Sequence, residues 1–180
     1  MSEAFDLARI SARLRNHERA LICIDGPAGA GKTTLASAFV DAFTDVHVIH
    51  MDDLYDGWSN ALSADLTERL VSQVRDPFLA GTDVRYRRYD WYAAAFAEFI
   101  DVPAARLLVV EGVGAAQAAM REAAAVSVFI DVEPAIGRER VIARDGDVSA
   151  AHIDAWQVHE QAHFARDRTR ESVHYVLPQP

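Results

Sequence analysis

Eight residues near the start of the chain, Gly26-Pro27-Ala28-Gly29-Ala30-Gly31-Lys32-Thr33, restrict the fold more than any other stretch. They satisfy G-x-x-x-x-G-K-[ST], and they lie between an apolar run, Leu21 to Asp25, and a helical pattern, Lys32 to Phe43. Glycines let a backbone wrap closely with its N–H groups pointing inward, and the following helix adds the positive end of its dipole. Such a loop holds a phosphate group mostly by main chain. The residues available for this are Gly26, Ala28, Gly29, Ala30, Gly31, Lys32, Thr33 and Thr34. Chance gives the motif in roughly 2 of 10,000 shuffled chains of this composition.

The basic residues sharpen the point, because 17 of the 18 are arginine and the one lysine is Lys32. A compact, mobile ammonium reaches terminal phosphates in a way that an arginine fork does not. The Thr33 hydroxyl is a ligand type suited to Mg²⁺. With 27 acids against 18 bases, the net charge of −9 argues against duplex nucleic acid or an anionic membrane as the main partner. No apolar run approaches the roughly 18 residues of a spanning helix, and the charged start MSEAFDLARISARLR is unlike a secretory signal, so the expectation is a cytoplasmic protein. The single cysteine, Cys23, lies inside an apolar run and reads as a buried structural thiol.

Across 180 residues, 51% of them hydrophobic, short apolar runs alternate with longer helical stretches, the pattern of a parallel sheet covered by helices. Strands are expected at Leu21–Asp25, Val46–Met51, Leu107–Glu111, Val126–Asp131 and Val173–Leu177. Helices are expected at residues 4–19, carrying Phe5, Leu7, Ile10 and Leu14, and at Lys32–Phe43, Leu66–Val74, Tyr92–Ile100, Ala115–Ala124, Pro134–Arg144 and Ala150–Arg170. Asp65 and Glu68 have the spacing of a capping box, and Pro134 suits a first helical turn. The first four strands end at acids, Asp25, Asp52 with Asp53, Glu111 and Asp131, and strand ends in an open parallel sheet share one ligand-binding rim. These acids are expected to converge on one cleft. Tyr92, Phe96 and Phe99 fall at helical spacing and read as core, whereas Trp58 and Trp91 suit stacking on a flat ligand.

Beyond the phosphate loop, four segments run in the order of a known family. Val48-Ile49-His50-Met51-Asp52-Asp53-Leu54-Tyr55 is similar to the second strand and Asp-Ser-Phe-Tyr segment of the uridine kinase and phosphoribulokinase-like group of P-loop kinases. Tyr89-Asp90-Trp91 resembles that group's Tyr-Asp-Phe segment, Leu108-Val109-Val110-Glu111-Gly112 its third strand, and Arg140-Val141-Ile142-Ala143-Arg144-Asp145 the helix that opens its lid. The resemblance implies a three-layer α/β/α P-loop NTPase fold with a mainly parallel five-stranded sheet, one kinase domain over residues 1–180, and a lid at about 138–150. It implies ATP and Mg²⁺ as cofactors, transfer of the γ-phosphoryl group to a hydroxyl of a small metabolite, and uridine as the default acceptor. Catalytic roles fall on Lys32, Asp52, Arg140 and Arg144, with Asp52 as the base. Metal contacts fall on Thr33, Asp52 and Glu111, and acceptor contacts on Asp52, Tyr55, Arg88, Tyr89, Asp90 and Trp91.

The chain departs from the family in the acceptor half. Tyr92-Ala93-Ala94-Ala95 stands where uridine kinases place a base-reading histidine, and Gly57-Trp58-Ser59-Asn60-Ala61-Leu62 replaces their His-Pro-Asp segment. The arginines of Val84-Arg85-Tyr86-Arg87-Arg88-Tyr89-Asp90-Trp91 either read an acceptor phosphate or carboxylate or form an exposed charged hairpin. Pantothenate, a sugar acid or a nucleoside monophosphate are alternative acceptors, a P-loop ATPase or regulatory module is an alternative function, and a homodimer stays open. Arg166 and Arg170 either reach phosphates or pair with Asp167 and Glu171. One further motif competes: His159-Glu160-Gln161-Ala162-His163 reads H-E-x-x-H, the zinc-protease pattern. Chance supplies it in roughly 1.5 of 100 such chains, and the positions that would continue it hold Arg166 and Thr169.

Overall fold

A computed structural model describes residues 2–146 and 150–179. The first half contains α1 (Ser2–Leu14), β1 (Ala20–Asp25), α2 (Lys32–Ala42), β2 (Val46–His50), a 3-10 turn at Met51–Asp53, α3 (Gly57–Asn60), α4 (Ala64–Arg69), a π-helical stretch at Leu70–Arg75 and α5 (Asp76–Ala80). The second contains β3 (Val84–Asp90), β4 (Ala95–Val102), β5 (Leu107–Glu111), α6 (Ala118–Arg121), β6 (Val126–Asp131), α7 (Pro134–Asp145), α8 (Ala150–Asp167), α9 (Thr169–Ser172) and β7 (Tyr175–Pro178). Of the lid expected at about 138–150, residues 147–149 lie outside the described residues.

Five strands form one sheet in the order β2-β5-β1-β6-β7, and every pairing in it is parallel. The strands read as unbroken apolar runs because helices cover both faces. Alternation along the central strands divides the core in two. Leu21 and Cys23 of β1 and Leu108 and Val110 of β5 point to one face, where they meet Leu66, Leu70 and Trp156. Ile22 and Ile24, with Leu107 and Val109, point to the other, where Ile10 and Leu14 of α1 and Phe39 of α2 cover them. This is the three-layer α/β/α fold. Cys23 is fully buried and unpaired, and burial pushes its thiol pKa up. No described helix is long and apolar enough to cross a membrane.

Several local expectations need correction. Tyr92–Ile100 is not a helix: β3 and β4 form an antiparallel hairpin of their own. Asp90 Oδ1 accepts the amides of Tyr92 and Ala93, both at 2.9 Å, and Ala94 turns the chain back at φ +50°. The four- and three-residue spacing of Tyr92, Phe96 and Phe99 is therefore coincidental; Tyr92 lies in the turn fully exposed, and Phe99 is 52% exposed on β4. The side chain of Phe5 is outside the description.

The helix after residue 63 is capped by Ser63, whose hydroxyl accepts the Leu66 amide, and not by an Asp65–Glu68 box. It runs on through the π-helical stretch into α5, where Pro77 has no N–H to give. The helix expected over Ala115–Ala124 is only the single turn α6, and α8 stops at Asp167 because Arg168 is left-handed at φ 53°. Pro134 opens α7 as expected.

Candidate active site

The phosphate loop leaves the C-terminal end of β1, at the centre of the sheet, and runs straight into α2. Its tightness depends on α7. A Cβ on Gly29 would stand 2.2 Å from the Gly137 carbonyl oxygen, and one on Gly137 would stand 2.5 Å from the Ala28 oxygen. Both positions therefore require glycine, and the loop lies directly on the first turns of α7. Lys32 is half-buried, and its ammonium donates to the carbonyls of Gly26 at 2.9 Å and Pro27 at 2.7 Å. Burial lowers its pKa, opposed chiefly by the nearby charges of Asp25, Glu160, Glu111 and Asp52.

Beside the loop, β5 delivers Glu111 and β2 delivers His50, which are register partners in adjacent parallel strands. Glu111 Oε1 accepts the Thr33 hydroxyl at 3.0 Å and lies 2.6 Å from His50 Nδ1. That contact raises the His50 pKa. His50 is a site residue the motif reading missed, although the strand register that places it opposite Glu111 carries the signal. Asp52 follows in the 3-10 turn, and its carboxylate opens onto a cleft of about 700 Å³. The cleft walls desolvate it and, with the Glu111 charge, raise its pKa against the pull of Lys32 and Arg144.

The same cleft is lined at one end by Gly29, Lys32, Thr33 and Thr34, and at the other by Tyr55, Trp58, Trp91 and Trp156. The aromatic end is a connected cluster: Trp58 packs on Trp91 and Trp156 with centroids 5.1 and 5.7 Å apart, and Tyr55 on Trp156 at 5.4 Å. The Trp91 indole donates to the Asp52 carbonyl at 2.9 Å, and the Tyr55 hydroxyl to the Val113 carbonyl at 2.7 Å. Arg140 and Arg144 line the cleft from α7. Arg140 donates to the Gly29 carbonyl at 3.4 Å, and Arg144 holds Asp145 with two bonds of 2.7 and 2.8 Å.

The fold thus brings Lys32, Thr33, Asp52, Tyr55, Trp91, Glu111, Arg140 and Arg144 to one cavity. It does not bring Arg88, Tyr89 and Asp90 into the lining. Arg88 reaches back to Glu98 at 2.6 Å, Tyr89 is buried between Trp91 and Phe96, and Asp90 caps the hairpin turn. Arg85 and Arg87 lie over Phe99, with Arg85 3.5 Å from Asp101. The segment is a charged hairpin.

The rim acids also divide. Asp25 is fully buried and accepts the amides of Gly26, Gly114 and Ala116 at 2.8 to 2.9 Å, Asp53 accepts the Tyr86 hydroxyl, and Asp131 pairs with Arg170 at 2.7 Å. Only Asp52 and Glu111 face the cleft. Asp167 pairs with Arg121 instead of an arginine of its own helix. The H-E-x-x-H helix places His159 in solvent and buries Glu160 and His163, and no cluster of three metal-ligating side chains occurs among the described residues. Trp156 and Glu160 were not legible as site residues, because their places depend on how α8 is rotated against a loop some 130 residues away.

The donor set beside the loop fits one hard cation. Thr33 Oγ1 and the Glu111 carboxylate are oxygens in contact, with the Asp52 carboxylate in the same cleft. Mg²⁺ keeps several waters and takes one or two protein carboxylates, the rest of its shell coming from phosphate oxygens.

No family model matches the chain, and no curated protein matches its sequence. Solved structures do match. A possible uridine kinase from Bacillus stearothermophilus superposes with a TM-score of 0.72 at 17% identity, covering 97% of each chain. A candidate fructose transport system kinase from Silicibacter sp. TM1040 gives 0.65 at 20% identity, covering 99% of this chain and 100% of that one. The YGR205w protein gives 0.60 at 10% identity over 99% and 94%. These likenesses span nearly the whole chain, and they show that it shares the three-layer α/β/α fold of these P-loop proteins.

Proposed function

We propose that the chain is an ATP- and Mg²⁺-dependent kinase that phosphorylates a hydroxyl of a small, neutral metabolite with a flat or apolar face. The observation that carries this reading is the two-ended cleft: a phosphate loop with Lys32 at one end, an aromatic cluster at the other, and Asp52 on the same wall. A switch that only binds nucleotide has no use for the aromatic end. The kinase descriptions of two fold neighbours agree with the reading.

The chemistry needs few parts, because phosphoryl transfer is mostly positioning and charge stabilisation. The loop amides and Lys32 hold the triphosphate, and Arg140 and Arg144 neutralise charge spreading onto the transferred group. The acceptor oxygen attacks the γ-phosphorus, an O–P bond forms as the bond to the β-phosphate oxygen breaks, ADP leaves, and the hydroxyl proton passes to the Asp52 carboxylate. A carboxylate whose pKa is raised by its surroundings is a better base than a solvated one. Mg²⁺ at Thr33 and Glu111 would screen the β- and γ-phosphate charge.

Acceptor choice follows from what the aromatic end lacks. The hairpin arginines Arg85, Arg87 and Arg88 point to other partners, so among the described residues the hairpin does not offer the bidentate grip that a phosphate or carboxylate needs. A nucleoside such as uridine or a neutral polyol fits better than a nucleoside monophosphate, a sugar acid or pantothenate. The test is ADP release from MgATP across a panel of these acceptors, with Lys32→Ala as the blank. A Lys32-dependent rise with a neutral acceptor is expected. ADP release that no acceptor changes would overturn the kinase reading in favour of an ATPase module, and a rise confined to anionic acceptors would overturn the substrate class.

A further inference from the structure

One wall of the phosphate loop is closed by an acid that the transfer chemistry does not use. Glu160, on α8, is 1% exposed, and its Oε2 accepts the Ala28 amide at 3.0 Å. Ala28 is thereby held on both sides, its carbonyl against Gly137 and its N–H by Glu160. The helix that carries Glu160 is fixed to α7 through Arg138 and Asp154 at 2.5 Å and through Gln157 and the Pro134 carbonyl at 2.7 Å. Among the described residues no cation forms an ion pair with the Glu160 carboxylate. The nearest ammonium, Lys32, is turned onto main-chain carbonyls.

Glu160 is therefore a buried carboxylate in the wall of an anion site. The groups that act on it are Lys32 at the start of α2, Asp25 at the end of β1, and Trp156 on its own helix, and it acts in turn on Tyr55. Burial and Asp25 disfavour its charge, while the Ala28 amide, Lys32 and Trp156 favour it, and the carboxyl is pushed up to about 7. A polyphosphate entering the loop adds several negative charges beside a carboxylate that is itself buried, and like charges in such a place are not both kept.

We propose that Glu160 is a positioning residue of the phosphate loop that keeps the Ala28 amide in place and takes up a proton when nucleotide binds. A protonated carboxyl still offers its carbonyl oxygen to the Ala28 N–H, so the loop keeps its shape while the repulsion disappears. The inference rests on the nucleotide-site reading above. It also gives the H-E-x-x-H sequence a role unrelated to zinc, with the acid in the loop wall.

Titration calorimetry of the full chain with MgADP at pH 8, in two buffers of different ionisation enthalpy, counts the protons. An acid pushed up to about 7 in the free protein is mostly ionised at pH 8, so the wild type is expected to take up the larger part of one proton per nucleotide through Glu160. Glu160→Gln, which mimics the protonated acid, is expected to lose that uptake. Above pH 8 wild-type affinity should weaken by about tenfold per pH unit relative to the variant. A merely structural side chain would change affinity without changing the proton count. No uptake by the wild type overturns the proposal whether or not the variant folds, and equal uptake by both proteins overturns it too. A wild type that binds no nucleotide at any pH overturns the nucleotide site itself, and this inference with it.

Discussion

Asp52 and Asp25 are both strand-end acids, and their surroundings give them opposite work. Asp52 stands in the cleft with its carboxylate available, tied in place through its main chain by Trp91. Asp52→Asn keeps the size and removes the base, so turnover is expected to fall roughly 100-fold or more while nucleotide affinity stays within a few-fold. Steady-state kinetics beside equilibrium nucleotide binding checks this, and unchanged turnover removes Asp52 from the mechanism. Asp25 instead accepts three amides and stitches the phosphate loop to the 112–117 segment. An asparagine there offers an NH₂ to at least one of those donors, and Asp25→Asn is expected to cost about 1–3 kcal/mol. The cost depends on pH with a definite sign. Burial pushes the folded acid up to about 6, above its ordinary 3.8, so the folded chain binds the proton more tightly than the unfolded one. Asp25 therefore supports the fold best below pH 4, and its share declines as pH rises through 6, by at most about 3 kcal/mol. The wild type's lead over Asp25→Asn in urea unfolding should shrink between pH 4 and pH 7; a lead that holds or grows would show Asp25 ionised throughout.

At the scale of elements, the contact that matters most is α7 against the phosphate loop. Helix propensity alone says that Gly137→Ala stabilises α7 by about 1 kcal/mol. Packing says the reverse, since the new methyl would stand 2.5 Å from the Ala28 oxygen and overpacking costs about 1–3 kcal/mol. Because Ala28 is also fixed from α8, the loop has no side to which it can yield, and the packing cost should win. MgADP affinity is expected to drop at least about tenfold with a loss of stability; a variant as stable as the wild type and binding as well would show that the loop and α7 move apart freely. The loop, the five strands and the place of Glu111 on the cleft were legible because each rests on local pattern: a motif in its strand-and-helix context, apolar runs, and an acid at a strand end; that Thr33 and Glu111 stand together came only from the family resemblance. The hairpin was not, since Tyr92, Phe96 and Phe99 imitate a helical stripe, and the deciding contact is Asp90 closing the turn on the amides of Tyr92 and Ala93. Nor was Asp25's burial legible, because the same acid at a strand end suits a cleft or a loop anchor, and only the path of residues 112–117 chooses between them.

Over the whole molecule, the cleft joins parts that the chain order keeps distant. Its nucleotide end draws on the loop after β1, on α2, β5 and α7, and its aromatic end on Tyr55 before α3, α3 itself, the hairpin turn and α8. The two ends should therefore respond separately to mutation. Trp58, 48% exposed and stacked between Trp91, Trp156 and His152, belongs only to the aromatic end. Trp58→Ala is expected to raise the KM for the acceptor about tenfold and leave the KM for ATP within twofold, and a parallel rise in both would mean that the two ends are one site. Nucleotide, by contrast, should tighten the entire fold, because it touches the central strand's exit and both helical layers at once. A ligand that binds only the folded chain at 100 times its Kd adds about 2.7 kcal/mol, which for a chain of 180 residues is a rise of roughly 5–11 °C in Tm. MgADP should produce that rise in thermal unfolding. ADP with a chelator should produce less if, as proposed, a Mg²⁺ held at Thr33 and Glu111 couples them to the phosphates. In Lys32→Ala the rise should vanish while the ligand-free Tm stays close to wild type, because the ammonium's own bonds are to carbonyls that water can serve. A full rise in that variant would mean that the loop holds nucleotide without its lysine, and that Lys32 acts only on the group being transferred.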